Sequence, residues 1–239
     1  MSDYVKNYQS APYDVATTTA TYATLMRKVY LWMTLALAVS GLAAYYVGTT
    51  PRLLYAIATN QVLFWGLIIA EFALVIGLSA AINKLSFPVA ACMFAAYSLI
   101  NGATLSFIFV AYTASSIVTT FFVTAGTFAA MALVGSVTKR DLTRLGGILI
   151  MALVGIIIAS IVNIFLHNSM MELIISAIGV LVFVGLTAYD AQKIKHMMLE
   201  YGSEVNDYTQ KLAVLGALSL YLDFVNLFLY LLRLFGNRR

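Results

Sequence analysis

Long apolar runs, separated by short polar segments, make up most of this 239-residue chain. The runs cover 29–48, 62–82, 88–110, 114–137, 146–166, 171–190 and 211–235. Each run contains 20 to 25 residues, which reaches the ~20 that an α-helix needs to cross the hydrocarbon core of a bilayer. The pattern therefore predicts an all-α integral membrane protein with about seven transmembrane helices.

The composition agrees with this pattern. The chain is 62% hydrophobic and 10% charged, whereas soluble domains are roughly 45 to 50% apolar. We predict one seven-helix transmembrane domain at 28–239, preceded by a flexible N-terminal cytoplasmic tail at 1–27 that lacks the apolar core of a signal peptide. The net charge of +4 comes mainly from cations at the ends of apolar runs, where they orient helices, so we expect no nucleic-acid partner.

The distribution of Lys and Arg predicts the orientation of the chain. If the seven runs cross alternately, ten cations fall on the side of the N-terminus: Lys6, Arg27, Lys28, Lys84, Lys139, Arg140, Arg144, Lys193, Lys195 and Lys211. The other side holds Arg52, Arg233, Arg238 and Arg239. This excess places the N-terminus in the cytoplasm. A re-entrant last segment would return the three C-terminal arginines to the cytoplasm, so a six-span alternative stays open.

Three carboxylates lie where the membrane makes charge expensive. Glu71 is near the middle of the second run, Asp190 ends the sixth, and Asp223 lies within the seventh. A carboxylate in the centre of a membrane helix costs on the order of 2.5 to 3.5 kcal/mol on insertion scales, so each should face protein or water. These residues are therefore the first candidates for a functional site.

The seventh run carries a polar stripe that predicts a central position. Ser219, Asp223, Asn226, Tyr230 and Arg233 follow one another at spacings of three or four residues, which places them on one face of a helix. Such a stripe avoids lipid only if other helices surround it. We therefore expect the seventh helix to be packed among the others.

Two inward-facing carboxylates on consecutive helices could meet. Without a cation between them, desolvation and mutual repulsion would favour one retained proton, and Asp190 and Asp223 would titrate as a unit. Such a pair suits a gate and proton sensor, and it supplies part of the oxygen ligands that a transient Ca²⁺ contact requires. Ser219 and Asn226 are the predicted supporting groups, and Glu71 is a predicted pathway residue. We expect no resident cofactor.

The sequence predicts that the two aspartates lie at different depths in the membrane, which argues against direct contact between them. Asp190 ends its run near the inner face, whereas Asp223 follows Lys211 by twelve residues, or ~18 Å of helix. The two carboxylates approach only if Lys211 projects well into the cytoplasm.

The two Asp-bearing motifs are similar to the signature of a known family. LTAYDAQKIK around Asp190 and LYLDFVNLFLYLLRLFGNRR around Asp223 resemble the Bax inhibitor-1 family. The similarity extends through TKRDLTRLGG and ALVGIIIASIVNIF and covers the chain from about Thr24 to the C-terminus. The GNRR ending resembles the bacterial branch, which implies a multi-pass protein of the cell inner membrane.

The resemblance also implies an architecture and an activity. It implies six helices around a central seventh, and a pH-dependent calcium leak controlled by the aspartates that match Asp190 and Asp223. Eukaryotic members are similarly implicated in calcium release and in protection from cell death. In some bacterial relatives a basic residue at the end of the second helix latches onto the aspartates, whereas here the matching stretch LSAAINKLS has only Lys84 nearby. Some bacterial members instead associate with a membrane-bound protease.

Two other classes compete with a channel. The Tyr189–Asp190 pair is similar to one motif of intramembrane aspartyl proteases, but Leu220, Tyr221 and Leu222 stand where that class has Gly-x-Gly, and no proline follows Pro88. We therefore expect a protein that is not an enzyme. A scaffold that modulates a membrane protease without transporting anything is the main alternative, because apolar helices can bind partner helices in the bilayer.

Overall fold

The computed structural model describes residues 15–201 and 204–239. Over these residues the chain folds into nine α-helices and no strand apart from one isolated bridge. The helices are α1 (Val15–Thr49), α2 (Pro51–Thr59), α3 (Gln61–Ala81), α4 (Phe87–Leu105), α5 (Ile108–Ala111), α6 (Ala114–Val137), α7 (Thr143–Leu166), α8 (Ser169–Tyr201) and α9 (Asp207–Phe235).

Seven helical segments are long and apolar enough to cross a membrane. They are Thr21–Thr49, Gln61–Ala81, Phe87–Ala111, Ala114–Val137, Thr143–Leu166, Ser169–Tyr201 and Asp207–Phe235. The predicted all-α membrane class and the number of spans are confirmed. The third segment includes both α4 and the short helix α5 that follows it.

The N-terminal region is helical earlier than the apolar pattern indicates. The helix α1 already begins at Val15, and its candidate span begins at Thr21. The predicted tail at 1–27 therefore overlaps a helix, and its residues 1–14 lie outside the described residues. Its flexibility and its cytoplasmic location stay predictions.

Two segments between the apolar runs are also helical. The helix α2 begins with Pro51 in its first turn, a position where the missing N–H of proline costs nothing. The helix α8 continues past Asp190 to Tyr201 because its polar continuation is amphipathic. Ala191, Ile194 and Met198 are buried, and their spacings of three and four residues place them on one face of the helix.

The last helix, α9, is the most buried of the seven spans. It packs against α1, α3, α4, α6 and α8, while α7 packs mainly against α8. The inward position predicted from the polar stripe therefore agrees with the packing of α9. A complete ring of six helices around α9 stays a prediction.

The contacts at its two ends show that α9 runs the full height of the bundle. At one end, the Asp207 carboxylate accepts from the backbone N–H of Phe87 at 3.1 Å, and Lys211 Nζ donates to the Leu85 carbonyl at 2.7 Å. At the other end, the Arg239 N–H donates to the Ala111 carbonyl at 3.0 Å. Since Phe87 and Ala111 bound the third span, α9 extends alongside that whole span. An uninterrupted helix of this length does not fit the re-entrant alternative.

Candidate functional site

A cavity of about 800 Å³ lies among α3, α4, α7, α8 and α9. All five residues that the sequence predicts for the site line it: Glu71, Asp190, Ser219, Asp223 and Asn226. Residues from the second, sixth and seventh spans are thus brought together in one place. We call this space the acidic cavity.

The lengths of α8 and α9 explain how the two aspartates come to lie at a similar depth in the bundle. Asp190 lies about 16 Å before the end of α8, and Asp223 lies about 24 Å after the start of α9. Both helices therefore continue well beyond the carboxylates on the same side of the bundle. The side chains line the same cavity, and the charge of Asp190 acts on Asp223.

Asp223 is the more enclosed member of the pair. Its side chain is buried, with a relative exposure of 5%. Its Oδ2 atom is a buried side-chain oxygen with no hydrogen-bond partner in the part of the chain that the structure describes. Buried polar atoms are nearly always paired, so an orphaned carboxylate oxygen indicates a group that binds something else.

A single basic side chain, that of Lys193, lies among the described residues that line the acidic cavity. It is one helical turn after Asp190, and its charge acts on that carboxylate. Lys84, the residue nearest to the position of the basic latch expected from some bacterial relatives, is not among the described residues that line the cavity. Lys193 is exposed, so it neutralises the pair only in part.

Three consecutive residues of α8 face three different helices at this point. A Cβ added to Gly135 of α6 would collide with the backbone of Ala188, and one added to Gly146 of α7 would collide with the ring of Tyr189. Asp190 follows and lines the acidic cavity beside α9. Close packing on both sides therefore fixes the part of α8 that carries the carboxylate.

Glu71 differs from the aspartates because its carboxylate has partners. Thr104 Oγ1 donates to Oε1 at 2.7 Å, and Asn101 Nδ2 approaches Oε2 at 3.4 Å. Both partners lie on α4, so the hydrogen bonds join α3 to α4 at mid-membrane depth. Glu71 is thus held in place by side-chain hydrogen bonds, whereas Oδ2 of Asp223 has no such partner among the described residues.

A buried hydrogen-bond network continues from Glu71 to α9 and α1. Tyr221 donates its hydroxyl proton to Asn101 Oδ1 at 2.8 Å, and the same hydroxyl lies 2.6 Å from Ser40 Oγ. Ser40 Oγ lies 2.7 Å from the Ser98 carbonyl. Each hydroxyl carries one proton, so when Tyr221 donates to Asn101, the proton between the two hydroxyls comes from Ser40. The network ties four helices together, and its members Ser40, Asn101 and Tyr221 are buried.

Sequence reasoning missed Asn101 and Tyr221. Asn101 had a usable signal, since an amide inside an apolar run of 88–110 needs a partner in the membrane. Tyr221 had none, because a tyrosine beside leucines does not indicate whether its hydroxyl faces lipid or protein.

Replacing Tyr221 with phenylalanine should destabilise the fold. We expect Tyr221→Phe to lower the free energy of unfolding by about 1 to 3 kcal/mol, because Asn101 Oδ1 would lose its donor in a buried environment. Thermal unfolding in detergent micelles measures this change. Tyr46→Phe is the matched control, since Tyr46 is 65% exposed. Equal unfolding temperatures for the two variants would contradict a structural role for the network.

Asn226 and Arg233, in the later part of the predicted polar stripe, make different contacts. Asn226 Nδ2 donates to the Leu222 carbonyl of its own helix at 2.8 Å, which leaves its side-chain oxygen free to face the cavity. Arg233 is exposed and lies over the ring of Tyr230, 5.5 Å from the centroid. The stripe therefore faces the acidic cavity as far as Tyr230 and leaves it at Arg233.

The described residues contain no cluster of three or more His, Cys, Asp or Glu side chains that could hold a metal ion. The acidic cavity offers two neighbouring aspartates, the carboxylate of Glu71, which already accepts two hydrogen bonds, and neutral oxygens. Ca²⁺ takes six to eight oxygen ligands, so this set suits a passing ion better than a resident one.

Comparison with known proteins identifies the family. A family model described as "Inhibitor of apoptosis-promoting Bax1" matches residues 22–239. This chain belongs to the Bax inhibitor-1 family. The Bax inhibitor-1 match begins beside the first candidate span at Thr21 and includes every residue of the acidic cavity.

Relatives within the family cover nearly the whole chain. The chain is 51% identical to the "Inner membrane protein YbhL" of Escherichia coli K12 over 216 residues, which is 90% of this chain and 92% of that protein. It is 45% identical to an uncharacterised protein of Borreliella burgdorferi, with 90% and 92% covered. It is 40% identical to the uncharacterised protein RP147 of Rickettsia prowazekii, with 90% and 89% covered.

Proposed function

We propose that this Bax inhibitor-1 family protein is a Ca²⁺-conducting cation leak channel of the inner membrane, gated by protonation of the Asp190–Asp223 pair. The observation that supports the proposal is the acidic cavity, a space of about 800 Å³ between the candidate spans that is lined by Asp190, Asp223 and Glu71. Intramembrane carboxylates that face a cavity are typical of ion and proton pathways.

The pair supplies both the pH response and the ion contact. When both aspartates are ionised, their charges repel one another in a poorly solvated site, and either a proton or a cation relieves the repulsion. Protons and Ca²⁺ therefore compete for the same oxygens. Oδ2 of Asp223 is the atom that has no other partner among the described residues.

The other elements of the proposal follow from the family and from the helices. We propose an N-terminus in the cytoplasm, because most Lys and Arg residues then lie inside. We propose no catalytic role for the aspartates, since Leu220, Tyr221 and Leu222 leave α9 helical where a protease of this type needs a glycine turn.

The test is calcium flux into proteoliposomes between about pH 6 and 8, because burial and mutual repulsion raise the pH at which a carboxyl pair loses its last proton. We expect a pH-dependent flux from the native protein, and loss of that pH dependence in Asp190→Asn and in Asp223→Asn. Both substitutions keep the size of the side chain and remove its charge.

Asp141→Asn is the matched control because Asp141 lies in the loop before α7. Hydrogen bonds from the Thr143 side chain and backbone hold the pKa of Asp141 below its ordinary value. Asp141 therefore stays ionised throughout this pH range, and its replacement should leave the pH response unchanged. No flux above that of empty liposomes would overturn the channel and favour a scaffold that modulates a membrane protease.

A further inference from the structure

The mouth of the acidic cavity faces lipid. Phe72 of α3 and Ile150 and Ile157 of α7 line the cavity, and their exposed fractions are between 49% and 66%. All three lie in the middle part of their helices, at a depth where hydrocarbon surrounds the protein. Since α3 packs mainly on α4 and α7 mainly on α8, the cavity opens sideways between α3 and α7.

The interior of the cavity has the opposite character from its mouth. Its lining carries the carboxyl groups of Glu71, Asp190 and Asp223 against the single ammonium group of Lys193. Asp223 is 5% exposed, and its Oδ2 has no hydrogen-bond partner among the described residues. A molecule that fills this space therefore needs an apolar part near the mouth and a cationic donor at the inner end.

The size of the cavity limits the occupant further. Its volume of about 800 Å³ lies within the range of about 300 to 1,000 Å³ that holds drug-sized ligands. That space suits one alkyl chain with a small head group, and it does not suit a lipid with two long chains.

We propose that the acidic cavity binds a single-chain amphipathic primary amine that enters sideways from the bilayer. Its ammonium group lies between Asp190 and Asp223, and its alkyl chain lies between α3 and α7 against Phe72 and Ile157. A primary ammonium carries three N–H donors, so it can donate to both carboxylates, with a turn of the Asp223 side chain to present its unpaired oxygen, and it balances the excess of negative charge. In a site shielded from water such a pairing is much stronger than at a surface.

The test compares dodecylamine with dodecanol, which has the same chain and no charge. Thermal unfolding of the full-length protein in phosphatidylcholine nanodiscs is followed as each compound is added. Because a ligand that binds only the folded state raises the unfolding temperature, we expect dodecylamine to raise it saturably and dodecanol to leave it nearly unchanged. In the double variant Asp190→Asn/Asp223→Asn, the apparent affinity for dodecylamine should fall at least about tenfold.

The route of entry has its own pair of variants. Ile157 and Ile158 are neighbours on α7 with similar exposure, 50% and 57%, but only Ile157 lines the acidic cavity. We expect Ile157→Trp to weaken dodecylamine binding and Ile158→Trp to leave it unchanged.

The amine site would be overturned if dodecanol stabilised the native protein as much as dodecylamine does. It would also be overturned if dodecylamine stabilised the double variant as much as the native protein. Equal binding by both Trp variants would overturn entry between α3 and α7. Binding is measured without ion flux, so this proposal and the channel can fail separately.

Discussion

Gly135→Ala should strongly destabilise the protein although it adds a single methyl group. A Cβ at this position of α6 would overlap the backbone of Ala188 in α8, and a backbone cannot rotate away as a flexible side chain can. Overpacking of this kind typically costs about 1 to 3 kcal/mol, and it costs more when a whole helix must move. We therefore expect a clear fall in the unfolding temperature in detergent and a lower yield of folded protein.

Gly126→Ala is the control on the same helix. A Cβ at Gly126 meets no atom within 4 Å, and alanine favours a helix over glycine by roughly 0.5 to 1 kcal/mol. We expect this variant to unfold at the native temperature or above it. If both variants unfold at the same temperature, the close approach of α6 to α8 does not hold the bundle together.

The contact between Gly135 and Ala188 also affects the position of Asp190 in the acidic cavity. Ala188 is two residues before Asp190, so a displacement of α8 at Gly135 moves the carboxylate relative to Asp223. Any Gly135→Ala protein that still folds should therefore show an altered pH response of flux, whereas Gly126→Ala should behave as the native protein does.

The spans and the inward carboxylates could be predicted from the sequence because both follow from local rules. A run of apolar residues has to be long enough to cross lipid, and a carboxylate such as Glu71 or Asp223 has to avoid it. Neither rule requires knowledge of a neighbouring helix. The same reasoning fails for Tyr221, whose importance depends on Asn101, a partner 120 residues away in the chain.

The extension of α8 beyond Asp190 is a second feature that could not be predicted from the sequence. The residues after Asp190 are polar by composition, which led to a predicted end of the span at 190. Their helix persists because Ile194 and Met198 pack inward, and only the neighbouring helices make that burial available. The meeting of Asp190 with Asp223 depends on this extension, so the site could be suspected from the sequence but its geometry could not.

Asp223→Leu and Glu71→Leu should change stability in opposite directions. Asp223 has a buried oxygen without a partner among the described residues, and an unsatisfied buried polar group costs about 1 to 3 kcal/mol. Leucine has the same branched arrangement of side-chain heavy atoms, its larger methyl groups can extend into the acidic cavity that Asp223 lines, and it removes that cost, so we expect Asp223→Leu to raise the unfolding temperature. Glu71 accepts from Thr104 and Asn101, so Glu71→Leu removes both hydrogen bonds and should lower the unfolding temperature, although Thr104 Oγ1 keeps the Asn101 carbonyl as an acceptor at 2.9 Å.

Thermal unfolding of both variants in the same detergent, without added amine, tests this contrast. A stabilised Asp223→Leu protein that no longer conducts would show that the native carboxylate is retained for function at the expense of stability, as functional sites often are. A fall in unfolding temperature for both variants would mean that Asp223 makes stabilising contacts of its own. The unpaired oxygen that supports both the gate and the amine site would then have a structural partner in the folded protein.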